Sequence, residues 1–148
     1  MYKFKHTKYG DLTGKTSYDI DVNSFNIESL EGSPKEVNGL FNVSYNFLEN
    51  LKYSPLKIEG DFYCNNNKLE TLKGSPKNVN TFDCSNNNLT SLEGSPEKIE
   101  NTFRCSDNKL TSLKGSPKIV KKSYNCNNNK LISLEGSPKE VQNYFNCS

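Results

Sequence analysis

Apolar and polar residues follow one fixed order along most of this chain. The order is clearest from Ile58: Ile58, Phe62, Cys64, Asn67, Leu69, Leu72, Gly74-Ser75-Pro76 and Val79. The next copy runs Val79, Phe82, Cys84, Asn87, Leu89, Leu92, Gly94-Ser95-Pro96 and Ile99, one residue shorter before its Phe. It is followed by Phe103, Cys105, Asn108, Leu110, Leu113, Pro117 and Val120, then by Tyr124, Cys126, Asn129, Leu131, Leu134, Pro138 and Val141. A degenerate copy comes earlier, with Phe41, Val43, Asn46, Leu48, Leu51 and Pro55. Before it, Ile20, Val22, Ile27, Leu30, Pro34 and Val37 keep the apolar places while Phe25 takes that of the Asn; Phe145 and Cys147 begin another copy. Phe-x-Cys alternates as a short half-buried strand does, with both named side chains inward. No segment shows a 3.6-residue period, so the return path of each unit is expected to be extended too.

The period is nearly constant. The serines of Gly-Ser-Pro and of its one variant, Tyr53-Ser54-Pro55, stand at Ser33, Ser54, Ser75, Ser95, Ser116 and Ser137, 20 or 21 residues apart. Such regularity marks a stack of like units, each burying its apolar side chains against the next. Gly permits positive φ and Pro fixes φ, so Gly-Ser-Pro makes a corner. The Asn falls where the chain leaves the strand, and its amide can donate to and accept from main-chain groups left unpaired there. Stacked copies predict an Asn ladder. At the N-terminus Tyr2, Phe4 and His6 alternate with Lys3, Lys5 and Thr7, and a turn near Gly10 to Lys15 would fold this strand back on Tyr18 to Val22. The expected fold is therefore mainly β: a parallel β-solenoid of 20–21-residue coils with an N-terminal β-hairpin cap. Residues 1–22 would form the cap and first strand, residues 23–148 the solenoid, in a single domain.

The order Val79, Phe82, Cys84, Asn87, Leu89 resembles the leucine-rich repeat, Leu-x-x-Leu-x-Leu-x-x-Asn-x-Leu, over roughly residues 18 to 148. It is most similar to the short, helix-free repeats of bacterial effector proteins. The variant Phe-x-Cys-Ser/Asn-x-Asn-x-Leu-Thr-Ser-Leu-x-Gly-Ser-Pro also looks like uncharacterised repeat proteins of tailed bacteriophages and large DNA viruses, as does the opening Tyr9-Gly10-Asp11-Leu12-Thr13-Gly14. Phe and Cys replace Leu at the two strand positions, and most copies carry one extra residue before the Phe. The resemblance implies a binding role rather than any one ligand.

Only 32% of residues are hydrophobic, a composition that by itself suggests disorder, but the period overrides it because a stack needs only a thin core. No run approaches a membrane span, and Met1-Tyr2-Lys3-Phe4-Lys5 lacks the apolar centre of a secretion signal, so a cytoplasmic location is expected, host cytoplasm if the chain is phage-encoded. Cys64, Cys84, Cys105, Cys126 and Cys147 all hold one repeat position. They read as an inward column of reduced, buried, metal-free thiols, since neither Cys-x-x-Cys pairs nor a partnering His is present. Gly10-Asp11-Leu12-Thr13-Gly14-Lys15-Thr16 ends like a phosphate-binding loop, but a strand-like run follows where a helix is needed. No nucleophile has a base beside it, as the one histidine, His6, lies outside the repeats, so no enzyme and no cofactor are expected.

Outward strand positions read Asp21, Asn42, Tyr63, Asp83, Arg104, Asn125 and Asn146. The framework repeats and these do not, so they are free to match a partner. Asn42, Tyr63, Asp83, Arg104 and Asn125 are the candidate partner-binding row, with Tyr63 and Arg104 of the types that anchor interfaces. Lysines at 68, 109 and 130, and at 35, 77, 118 and 139, have acidic neighbours. With a net charge of +2 they argue against a nucleic-acid partner. The column Glu31, Lys52, Lys73, Glu93, Lys114, Glu135 mostly alternates in sign. At the C-terminal edge Tyr144, Phe145 and Cys147 would present an open strand, expected to pair as a two-fold homodimer. These features predict a protein-binding repeat module. The resemblance implies a phage accessory protein that binds and inhibits a host defence or metabolic protein. The alternatives are a virion or assembly component oligomerising through that edge, and a carbohydrate-binding module.

Overall fold

The computed structural model describes residues 1–148 as a parallel β-solenoid with three faces per coil. The first face is a seven-stranded sheet running in chain order through Ile20–Asp21, Phe41–Asn42, Phe62–Tyr63, Phe82–Asp83, Thr102–Arg104, Ser123–Asn125 and Tyr144–Asn146. Its register sets Phe41, Phe62, Phe82, Phe103, Tyr124 and Phe145 in one inward column. Their rings lie 5.1–5.8 Å apart from one to the next, so a continuous aromatic stack forms one wall of the core. The second face carries Val37, Ile58, Val79, Ile99 and Val120, and the third turns the paired leucines inward as far as Leu110 and Leu113, while Leu131 is partly buried and Leu134 exposed. Each full coil thus closes its core with five apolar side chains, such as Phe62, Cys64, Leu69, Leu72 and Val79, and stacking joins them into one cluster.

The Asn ladder forms as the spacing predicts. The Oδ1 atoms of Asn46, Asn67, Asn87, Asn108 and Asn129 accept the backbone N–H of Ile27, Leu48, Leu69, Leu89 and Leu110 in the preceding coil, at 2.8–3.0 Å. Each Nδ2 donates to a carbonyl of the preceding coil and to carbonyls of its own. Asn108 Nδ2, for example, lies 3.1 Å from Cys84 O, 3.2 Å from Cys105 O and 3.0 Å from Ser106 O. One side chain therefore satisfies a corner that the sheet hydrogen bonds leave open.

Two left-handed residues shape each full coil. Asn66, Asn86, Asp107 and Asn128 precede the ladder Asn with φ of 54–56°. Asn and Asp tolerate that region best after Gly, so the paired Asn of the repeat has a conformational cause that periodicity alone does not reveal. The second is the glycine of Leu-x-Gly-Ser. Gly94 has φ of 89°, as the third position of a type II turn requires, and a Cβ there would stand 2.6 Å from the backbone of Lys73 below.

The N-terminal cap differs from the expected hairpin. Phe4–His6 is a single 3₁₀ turn, and Lys3 bridges Ser29 in parallel. The segment lies against the third face of the first coil, through Phe4 N–H to Ser29 O at 2.8 Å and Lys5 N–H to Glu31 O at 3.1 Å. Phe4 is buried beside Phe41 and stacked on Tyr9, so it plugs the end of the core, a role a flat hairpin strand could not fill. Lys3 and Lys5 each reach Glu31 at 2.6 Å, and these two ammonium groups hold its carboxyl down at about 2.

The cysteine column is inward as read, but its members are not equivalent. Cys64, Cys84 and Cys105 are free and buried, and burial pushes each thiol up, that of Cys105 to about 12. Cys64 and Cys84 lie 3.3 Å from the carbonyls of Asp83 and Arg104 in the next coil. Cys126 instead turns to Cys147, with the sulfurs in bonding contact and Cα atoms 4.6 Å apart. The expectation of five free thiols is corrected for this last pair: Cys147 is only partly buried, and its side chain is free to turn toward the column.

Replacing Asn108 by Leu is expected to cost about 2–3 kcal/mol, because the Leu89 N–H loses its acceptor and three carbonyls each lose one of their donors in a buried corner; urea denaturation reads this, and an unchanged midpoint would contradict the ladder. Iodoacetamide applied to folded protein at pH 8 without reductant is expected to leave Cys64, Cys84 and Cys105 unmodified, their thiolate populations being suppressed. Peptide mass mapping of that sample should find Cys126 and Cys147 linked; carboxymethylated Cys126 would show the pair to be reduced.

Candidate protein-binding face

The strand register brings Asn42, Tyr63, Asp83, Arg104 and Asn125 into a single outward row on the first face. Coils in a parallel ladder are ~4.8 Å apart, so Tyr63 to Arg104 span roughly 10 Å. All five are partly exposed.

These residues are not equally free. Asn42 Oδ1 accepts the Ser44 N–H at 3.1 Å, Asp83 Oδ1 the Ser85 N–H at 3.0 Å, and Asn125 Oδ1 the Asn127 N–H at 3.4 Å. Asp21 and Asn146 do the same for Asn23 and Ser148. Each is a local Asx turn that pins the chain as it leaves the strand. Variety along the row predicts positions free of structural constraint; the structure instead gives its Asn and Asp members a repeated structural duty. The signal was present in the sequence as an acidic or amide residue at five of the seven positions.

Tyr63 and Arg104 are the departures, since neither can make that turn. The Tyr63 hydroxyl donates to Asp61 Oδ2 at 3.0 Å, while Asp61 Oδ1 accepts from Asn80 Nδ2 and the Thr81 N–H at 2.8 and 3.0 Å. Burial, and then the Asp61 carboxylate, raise the phenol above its ordinary value, so it stays a neutral donor. Arg104 places Nη1 3.9 Å from Asp83 Oδ2, with much of its side chain exposed. An aromatic plane, a carboxylate and a guanidinium on successive coils offer apolar contact, an acceptor and a forked donor to a partner's surface. Asn80 and Thr81 form the shortened link ahead of Phe82, and Asp61 of the preceding coil bridges it.

Tyr144, Phe145 and Cys147 lie on or beside the last strand. Tyr144 and Phe145 are exposed on their outer side, while the Phe145 ring stacks on Tyr124 at 5.1 Å. In the alternating column, Lys114 meets Glu135 at 3.1 Å. No three His, Cys, Asp or Glu side chains converge as a metal site would require. No helix is long and apolar enough to cross a membrane. An apolar concavity lies not on this face but on the second, between residues 56–59 and 77–80. Comparisons with known protein families, with curated proteins and with solved structures give no match.

Asp83→Ala and Asn42→Ala are expected to destabilise the fold by about 1 kcal/mol each through loss of the Asx turn, whereas Tyr63→Ala and Arg104→Ala stay within ~0.5 kcal/mol of the parent. Thermal denaturation of the four variants checks this, and equal losses for all four would put Tyr63 and Arg104 in the framework.

Proposed function

We propose that this chain is a non-catalytic protein-binding module whose contact centre is Tyr63, Asp83 and Arg104. The observation that carries the proposal is that Tyr63 and Arg104 alone give up the Asx turn made at the other positions of their row. Large side chains that leave a structural rule without a packing gain are best explained by an external partner. Asn42 and Asn125 flank the centre and contribute the polar rim.

In this reading the partner is a host protein, and the chain is a phage accessory factor acting in the host cytoplasm. That part rests on the repeat's resemblance alone. The alternative, a virion or assembly component, is favoured by one observation, that Tyr144–Asn146 is the edge strand of the seven-stranded sheet, with Tyr144 and Phe145 exposed. Main-chain groups there suit two-fold antiparallel pairing with a second copy through Tyr144, Phe145 and Cys147.

The test uses the 148-residue chain as bait in a host-cell lysate, followed by titration of the captured protein. Tyr63→Ala or Arg104→Ala is expected to weaken that complex by ~2 kcal/mol or more, about thirtyfold, with no change in melting temperature. Retained affinity in both variants would remove the first face as the site. Light scattering at micromolar concentration addresses the second surface: a dimer dispersed by Phe145→Lys supports edge pairing, and a monomer at every concentration rules it out.

A further inference from the structure

The coil from Phe41 to Ile58 departs from its neighbours at four surface positions at once. Tyr45 stands where later coils have Asn66, Asn86, Asp107 and Asn128, and Phe47 where they have Lys68, Asn88, Lys109 and Lys130. Tyr53 replaces a glycine, and Leu56 falls between Lys35 and Lys77 in a column otherwise charged. All four are exposed, to 59%, 44%, 50% and 72%. Tyr45 and Tyr53 moreover hold φ of 54° and 69°, a conformation that bulky residues avoid. Neither burial nor backbone preference accounts for these choices.

The same coil borders a fault in the second face. At other junctions of that face the residue directly after Pro donates across to the coil below: Leu56 N–H to Lys35 O at 2.8 Å, Glu97 N–H to Lys77 O at 2.7 Å, and Lys118 N–H to Glu97 O at 2.9 Å. The equivalent bond from Lys77 to Leu56 does not form, and the Asn80 N–H reaches Gly60 O rather than the carbonyl of Ile58. The sheet accordingly divides between Lys57–Ile58 and Asn78–Val79. The cause is the short link Asn80-Thr81 ahead of Phe82, which draws the coil out of register.

The fault opens a cleft of about 360 Å³ lined by Leu56, Ile58 and Val79 with Lys77, Glu59 and Glu100 at its rim. That volume accepts one large side chain. Glu59 is paired with Lys57 at 2.6 Å, and Glu100 with Lys98 and Lys121 at 2.5 Å. Lys77 makes no ion pair, so the rim has one uncommitted charge, and it is positive. The Lys77 N–H and the Leu56 carbonyl are left as a main-chain donor and acceptor beside it.

We propose that this cleft is a second docking site, distinct from the first-face row, for an extended segment of a partner protein. The segment inserts one bulky apolar side chain between Leu56, Ile58 and Val79, sets a neighbouring carboxylate on Lys77, and bonds its backbone to the Lys77 N–H. Apolar filling, charge complementarity and main-chain pairing are the three features by which a peptide segment is recognised.

The probe is a displayed library of random linear dodecapeptides, selected on the full chain. Selected sequences are expected to share a bulky apolar residue within two positions of Asp or Glu. Synthetic winners should shift the amide resonances of residues 56–59 and 77–80, and lose at least tenfold in affinity with Leu56→Lys and about threefold with Lys77→Gln. Leu56→Lys places the residue that four other coils carry in this column, so the fold is expected to persist, which the amide spectrum reads directly. Absence of enrichment, enrichment of basic sequences, or winners that bind Leu56→Lys equally well would overturn the proposal. Self-association of the free chain that Leu56→Lys abolishes would overturn it too, by assigning the cleft to a second copy. Tyr63→Ala is expected to leave these peptides bound, which separates failure here from failure of the first-face reading.

Discussion

Everything in this molecule depends on closing each coil without leaving a main-chain group unpaired. A 20–21-residue coil turns three corners, and at a corner the strand-to-strand bonds lapse. The ladder of Asn46, Asn67, Asn87, Asn108 and Asn129 supplies what is missing, taking one N–H and giving to several carbonyls at each level. Because every Asn reaches back into the preceding coil, it joins coils as well as closing them. A core of only five apolar side chains per coil could not order this much backbone alone; the low hydrophobic content becomes compatible with folding because polar side chains share the work.

Departures from the repeat then acquire meaning from what they forgo. Along the first face, Asn and Asp make Asx turns, and Tyr63 and Arg104 make none. In the coil from Phe41 to Ile58, Tyr45 and Tyr53 hold left-handed conformations suited to Asn and Gly. Both sets are large and reach solvent, Tyr63 and Arg104 in part and Tyr45 and Tyr53 more fully. In a one-dimensional stack the framework is repaired by its neighbours, so a single coil can carry such residues at little risk to the whole.

The one-residue deletion before Phe82 shows how a small change in sequence spreads. The first face keeps its register across it, with Phe62 opposite Phe82 and Phe82 opposite Phe103. The second face does not, and its sheet splits there. Aromatic stacking and the Asn ladder hold one side, so the slack emerges on the other as a cleft. Asp61 spans the shortened corner through Asn80 and Thr81, and in doing so also receives the Tyr63 hydroxyl.

The sequence by itself determined the solenoid, its period, the inward Phe and Cys columns, the Asn ladder and the single outward row. All of these follow from side chains repeating at fixed spacing, and a parallel stack converts spacing directly into position. Tertiary structure alone decided how the chain begins, because Phe4 alternates like a strand residue yet is drawn into the open end of the core, where burial outweighs strand pairing. It alone decided that Cys126 turns to Cys147 while Cys64 and Cys84 turn to carbonyls. It separated Tyr63 and Arg104 from row-mates that have a turn to hold, and it located the fault beside Leu56. Each of these depends on which groups are already satisfied by the coil above or below, and that information exists only once the coils are stacked.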